Sequence, residues 1–427
     1  CQDGEMYLCV KATSNYPETL KTLRNMEDVF YAEPNYKVSF SDTKIEPSPS
    51  DEILHPFNLA EGNLDQDPVG DEKEYALAIT EALKAYKEFK YGENKVWVGI
   101  VDTGTNGNHE DMQYKNGEKV VKVLKTAFAG YNKISDVSSG NSDTEPNEGG
   151  HGTHCSGTIC AAGDNDKGIA GVAWKNVNLI SYKGMQNGSG NNFSIYGSLK
   201  HLADTVRTRV SQEKQATVPV NLSLGGVLAG SLELEALNYC LSKGVLPVAA
   251  NGNDGQFLPS YPAAFPGVLT VGASSAEDKK IGFSTSGAWL NVVAPGHNII
   301  SLGHLSTSGY VHMSGTSMAT PFVVGTIAYL LSFDPTIKPQ QMVAILEKTA
   351  DKIDVTNKDP AGKYDDRGFS KYYGYGRVNV YKATKMIIEN RIPEAGKVYV
   401  ETKLTVKAGS IRPIFVYDKI TGALVTM

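Results

Sequence analysis

The chain has 427 residues, of which 41% are hydrophobic and 21% charged, with 43 glycines; this excludes a collagen, a coiled coil and a wholly disordered chain. At ~100–200 residues per domain, the length predicts two or three domains, or one large domain with appendages. The 41 Lys and Arg against 47 Asp and Glu give a net charge of −6 with no basic run of five or more, which argues against a nucleic-acid partner, and the longest apolar run, 321–333, falls short of the ~20 residues a membrane helix needs.

Residues 1–40 read as strand, helix, strand: an apolar run at 6–10, Leu20, Leu23 and Met26 at helical spacing, and a second apolar run at 29–31. Residues 41–71 carry Pro47, Pro49, Pro56 and Pro68 among Ser and Asp, a linker composition. From 72 to 90, Tyr75, Ile79, Leu83, Tyr86 and Phe89 fall on one helical face. Buried-strand patterns follow at 95–101 (ending at Asp102), 177–182, 218–222, 245–250, 268–273 and 291–294. Helical patterns at 194–212, 232–242, 317–332 and 338–348 alternate with them, which predicts a parallel sheet covered on both faces. Residues 391–427 change to short β-like runs and read as the start of a β module. The expected units are therefore 1–40, 41–71, 72–390 and 391–427. The five cysteines, Cys1, Cys9, Cys155, Cys160 and Cys240, lack zinc-site spacing and do not define a disulfide framework.

Three segments carry chemistry. Val101-Asp102-Thr103-Gly104 places an acid at the C-terminal end of a buried strand, where open α/β sheets put their sites; an Asp capping a turn is the alternative. His151-Gly152-Thr153-His154 reads either as two metal ligands on one helix face or as one catalytic base beside a structural histidine. Gly315-Thr316-Ser317-Met318-Ala319-Thr320-Pro321 opens an apolar helix. Its Ser317 is either an N-cap or a nucleophile whose developing oxyanion the helix N-terminus favours. Taken together they are far more specific. A hydroxyl nucleophile needs a base, and the base needs a carboxylate to fix its tautomer. The chain order Asp102, His151, Ser317 is that of subtilisin.

On these motifs the chain resembles the subtilases, the subtilisin-like serine proteases, over roughly residues 72–386. The resemblance implies an α/β three-layer sandwich with a mainly parallel central sheet, and serine endopeptidase chemistry through an acyl-enzyme. It implies that Ser317 attacks, His151 moves the proton, Asp102 orients His151, and Asn253 in Asn251-Gly252-Asn253 holds the oxyanion. An extended polypeptide substrate would lie between Gly188-Ser189-Gly190 and Ser223-Leu224-Gly225 by β-augmentation. Asn251 stands where the family has a small residue and is expected to narrow or polarise the specificity pocket, and Gly252 beside it is expected to bind substrate. Phe322 replaces a usual His, Cys155 matches the thiol-containing branch, and His154 is expected to be structural. No cofactor is required for the chemistry, but a structural calcium is expected at Asp111 with Asn165, Lys167 and Ile169 from the loop 163–169. The N-terminal piece resembles the second half of a propeptide, an intramolecular inhibitor cleaved somewhere within 37–70. Cys1 then reads as an internal residue at a truncated end, and the expected location is secreted or cell-surface. The rival readings are a metallohydrolase on His151 and His154, which lacks the HExxH glutamate, and a non-catalytic binding protein on a protease fold, against which the intact triad argues.

Overall fold

The computed structural model describes residues 16–26, 32–33, 37–39, 44–46, 75–127, 134–144, 150–165, 167–186, 188–210 and 214–394. The N-terminal elements are α1 (Tyr16–Arg24), β1 (Lys37–Ser39) and β2 (Lys44–Glu46). Next come α2 (Tyr75–Ile79), α3 (Ala82–Phe89), β3 (Val96–Asp102), β4 (Val121–Thr126), β5 (Ser135–Asp136) and α4 (His151–Cys160). They are followed by β6 (Val177–Lys183), β7 (Ser189–Asn191), α5 (Asn192–Val210), β8 (Val218–Leu222), α6 (Ser231–Ser242), β9 (Val245–Ala250) and β10 (Leu269–Ser274). The last are β11 (Val292–Pro295), β12 (Ile299–Leu302), β13 (Tyr310–Ser314), α7 (Thr316–Phe333), α8 (Pro339–Thr349) and α9 (Val380–Ile388).

Among the described residues, eight strands form one sheet in the order β11-β10-β9-β8-β3-β6-β4-β5. Every neighbouring pair is parallel except β4 and β5. The central strands are buried along their whole length and mostly apolar because both faces are covered. In β3 the period-two alternation splits the core. Val96, Val98 and Ile100 pack with α2, α3, α4, α7, α8 and α9, while Trp97 and Val101 pack with α5 and α6. The result is the expected three-layer α/β sandwich. Its most apolar helix, α7, is buried from Thr316 to Ser332, so its hydrophobicity serves the core. Two small sheets stand apart from the main one: β1 with β7, and β12-β13-β2.

The apolar face at 72–90 forms two helices, not one. Thr80 Oγ1 folds back to the Ala76 carbonyl at 2.7 Å and Glu81 takes a left-handed conformation (φ 55°), so the helix restarts at Ala82. The helix expected around Leu20–Met26 is α1. Strands β4 and β13 mix polar and apolar residues and β12 is only four residues long, so all three carry little periodic signal. The apolar runs at 6–10 and 29–31, most of the linker, and the β module beyond 394 lie outside the described residues. The C-terminal ends of β3, β8 and β9 lead into Asp102, Ser223 and Asn251, which sets the site at the carboxyl edge of the sheet.

Candidate active site

Asp102 ends β3 and is fully buried. Its Oδ1 accepts from Nδ1 of His151 at 2.8 Å and from the Thr103 N–H at 2.7 Å. The glycines of the two motifs make this meeting possible. A Cβ on Gly152 would stand 2.1 Å from the Gly104 carbonyl oxygen and 3.1 Å from the Asp102 Cβ, so only glycine lets α4 approach the end of β3 this closely. Thr103 Oγ1 accepts the Gly152 N–H at 2.9 Å, capping a first-turn donor of α4 and locking the two segments together.

His151 opens α4 and is buried. Burial favours its neutral ring, but the Asp102 carboxylate outweighs this, and the imidazole titrates well above the ordinary histidine value. His154 differs in every respect. Its Nε2 bonds the Ile299 carbonyl at 2.9 Å, and burial pushes its pKa down to about 3. Among the described residues, the close group of ligand-type side chains here is Asp102, His151 and Cys155, within 4.8 Å of one another, and it leaves His154 out. His151 and His154 are thus held by different partners, Asp102 and the Ile299 carbonyl.

Ser317 is the second residue of α7 and is buried. Its Oγ donates to the Ser223 carbonyl at 3.3 Å. Pro321, four residues on, has no N–H to give the Ser317 carbonyl. That carbonyl accepts instead from Ser223 Oγ at 2.8 Å and from Cys155 Sγ at 3.4 Å. Cys155 also lies 4.0 Å from His151 Nδ1, so its thiol touches both partners, and burial raises its pKa.

Asn253 reaches the same helix terminus. Its Oδ1 accepts from the Thr316 N–H at 2.9 Å and the Thr316 hydroxyl at 2.8 Å. The N–H can only donate, so the amide orientation is fixed and Nδ2 faces away. That Nδ2 is buried and has no hydrogen-bond partner among the described residues. The Ser317 N–H beside it belongs to the helix's first turn and has no intrahelical acceptor. A Cβ on Gly315 would stand 3.1 Å from Asn253 Nδ2 and 3.6 Å from the Ser317 nitrogen, so the two donors lie beside one another at the helix start.

The two segments expected to hold a peptide lie on either side of a third strand. Gly188 precedes β7, which runs through Ser189 and Gly190, and Ser223, Leu224 and Gly225 follow β8. Between them lies β1. Lys37, Val38 and Ser39 pair antiparallel with Asn191, Gly190 and Ser189, and Ser39 exchanges both backbone hydrogen bonds with Gly225 at 3.2 and 2.9 Å.

The family model described as "Subtilase family" matches residues 93–376. The chain belongs to the subtilase family. Thermitase of Thermoactinomyces vulgaris is 34% identical over 320 residues, covering 75% of this chain and 98% of that protein. The cell wall-associated protease of Bacillus subtilis (strain 168) is 33% identical over 303 residues, 68% of this chain and 31% of that protein. The crystal structure of fervidolysin from Fervidobacterium pennivorans superposes with a TM-score of 0.60 at 24% identity. It covers 83% of this chain, which spans 52% of that chain, and the likeness speaks to the fold. Membership makes this protein a subtilisin-like serine endopeptidase.

Two expectations drawn from the subtilase pattern meet specific contacts in the structure. Both ends of the Asn251 amide are taken up: Nδ2 donates to the Thr285 carbonyl at 2.5 Å and Oδ1 accepts from Trp289 Nε1 at 2.7 Å. Gly252 keeps its place in the Asn253 loop at φ 101°.

The loop of Asn165, Lys167 and Ile169 does converge on Asp111, but with donors. Asp111 Oδ2 accepts from the Ile169 N–H at 2.9 Å and the Tyr310 hydroxyl at 2.8 Å, and Oδ1 from Asn165 Nδ2 at 3.2 Å. Asn165 Oδ1 takes the Lys167 N–H at 3.1 Å, and Lys167 Nζ pairs with Glu110 at 2.7 Å. Gly168 clears the way for Tyr310, since a Cβ there would sit 1.8 Å from the phenol oxygen. Calcium needs oxygens turned inward. This set presents N–H and O–H groups and does not fit the ion.

The sequence reading missed Thr103, Thr316 and Thr285, which hold the functional side chains through backbone or hydroxyl contacts. The only trace of these roles is that Thr103 and Thr316 lie inside the motifs.

Proposed function

We propose that Ser317, His151, Asp102 and Asn253 carry out peptide hydrolysis through an acyl-enzyme. The observation that supports it most is the buried Asp102–His151 bond converging with Ser317 and the oriented amide of Asn253. Asp102 holds a proton on Nδ1 of His151, which leaves Nε2 as the base. On substrate entry Ser317 Oγ gives up the Ser223 carbonyl and its proton passes to His151. The oxygen attacks the scissile carbonyl, and the tetrahedral oxyanion accepts from Asn253 Nδ2 and the Ser317 N–H at the positive end of α7. His151 then protonates the leaving amine, and water repeats the sequence on the acyl group. Ser317→Ala should reduce peptide hydrolysis to background; unchanged hydrolysis would sink the assignment.

The N-terminal piece is proposed as an intramolecular propeptide, and the protein as a zymogen. Three contacts support this. β1 occupies the cleft as an added strand. Glu33 accepts the Ser231 and Leu232 N–H groups at 2.7 and 2.8 Å, capping α6. β2 pairs with β13, which ends at Ser314, three residues before Ser317. β1 and β2 thus pair with two different segments that border Ser317, Gly225 after β8 and the end of β13. Within the 37–70 range expected from sequence, the cut is assigned to the residues between Ser39 and Lys44. N-terminal sequencing of the processed protein should begin within 41–44, and Ser317→Ala should stay uncut. A start beyond Glu74 would contradict the propeptide reading. A secreted or cell-surface location is proposed by likeness to the cell wall-associated relative.

A further inference from the structure

The loop that carries Asn253 leaves β9 at Asn251, and a single residue, Thr285, holds it at three points. The Thr285 N–H donates to the Gly252 carbonyl at 3.0 Å. Its hydroxyl accepts the Asp254 N–H at 3.2 Å. Its carbonyl accepts Nδ2 of Asn251 at 2.5 Å. The indole of Trp289 then donates to Oδ1 of Asn251 at 2.7 Å. An indole N–H can only donate, so Trp289 decides which way the Asn251 amide faces, as Thr316 does for Asn253. Asn251 and Thr285 are both buried. Two glycines are fitted to this arrangement. A Cβ on Gly287 would meet the Trp289 ring at 2.4 Å, and Gly252, at φ 101°, would bring a Cβ within 3.1 Å of Thr285 Oγ1.

We propose that Trp289, Asn251 and Thr285 form a clamp that positions Asn253 for the oxyanion. The inference rests on the reading of Asn253 given above. An oxyanion donor works only if it is held in place before the charge develops. Gly252, the residue before Asn253, is the most permissive in the loop, and its freedom has to be removed by its neighbours. Asn253 is then fixed from two sides. Thr316 fixes its Oδ1, and the clamp fixes the backbone on either side of it, at Gly252 and Asp254. None of the three clamp residues touches the reacting atoms; they act through Asn253.

The test is a double-mutant cycle with kcat and KM measured on a chromogenic peptide substrate, using the processed enzyme. Asn251→Ala removes both side-chain bonds, and Trp289→Phe removes the indole donor while keeping a ring. We expect kcat to fall about tenfold or more for Asn251→Ala, the scale on which small misplacements act, with a smaller fall for Trp289→Phe and KM within about twofold. The decisive arm is the pair Asn251→Ala with Asn253→Ala, which should be no slower than Asn253→Ala alone. If Asn251→Ala costs the same factor with and without Asn253, or if the loss falls on KM, the clamp is refuted. Single variants with unchanged kcat refute it as well. If Asn251→Ala fails to fold, Trp289→Phe carries the same cycle. If Asn253→Ala itself leaves kcat unchanged, the oxyanion assignment falls first and the clamp with it.

Discussion

Thr316 binds Asn253 twice through the same oxygen, with its N–H at 2.9 Å and its hydroxyl at 2.8 Å. The contact makes one end of the amide structural and leaves the other, Nδ2, buried with no partner among the described residues. A buried donor left unmatched costs free energy unless something accepts from it. Under the proposed mechanism, that acceptor is the substrate oxygen as it becomes an anion.

Asn253→Ala should therefore lower kcat by about 10²–10³-fold, the magnitude known for such a donor in subtilisin itself, with little change in KM. Thr316→Val deletes one of the two anchoring bonds, worth ~0.5–1.5 kcal/mol, and should cost only several-fold in kcat. Steady-state kinetics on one peptide substrate distinguishes the two. Equal losses would mean that the anchor and the donor are not separable.

The pH dependence follows from His151. Hydrolysis requires the neutral ring, so kcat/KM rises as His151 loses its proton. Burial lowers its pKa, but Asp102 outweighs burial and raises it, so the acid limb should lie above the ~6.5 of an ordinary histidine. Asp102→Asn removes the raising charge and keeps the burial. The residual activity should then show its acid limb at lower pH than the wild type. A limb that stays in place or moves up would contradict the coupling.

Cys155 sits beneath the site but should not react. Its thiol is buried, its pKa is raised, and it donates to the Ser317 carbonyl. Alkylation depends on an accessible thiolate. Native protein treated with iodoacetamide near neutral pH should leave the peptides bearing Cys155, Cys160 and Cys240 unmodified, and unfolding should expose all three. Rapid native labelling of Cys155 would show that the cleft floor opens.

The Asp111 network predicts stability without calcium at that place. Tyr310→Phe removes one donor from a buried carboxylate and should cost about 1–3 kcal/mol in unfolding free energy. Melting in EDTA and in calcium should give the same Tm difference between wild type and Asp111→Asn. A calcium-dependent rise in Tm that Asp111→Asn abolishes would overturn this reading.

Much of this was legible in the sequence because the motifs combine chemistry with backbone geometry. VDTG, HGTH and GTSMATP carry the side chains proposed to react together with the glycines and the proline that let three segments meet. The apolar runs that became β3, β6, β8 and β9 were equally plain, since strands buried on both faces need no alternation. What the sequence left open shares one cause: a sequence shows which polar atoms exist but not which way they face. The Asn251 amide is oriented by Trp289, 38 residues on. Asp111 could have met a cation, but Tyr310 arrives from 199 residues away with a hydroxyl. The break between α2 and α3 depends on one left-handed residue, Glu81, of a type that gives no warning.

The most direct test of the account is covalent labelling of the processed enzyme with a serine-directed fluorophosphonate, followed by peptide mapping and a parallel assay of peptide hydrolysis. The account predicts one adduct, on Ser317, with activity lost in proportion to labelling and no adduct on Ser317→Ala. Full hydrolysis by protein labelled at Ser317, or loss of activity with the adduct on another residue, would contradict it.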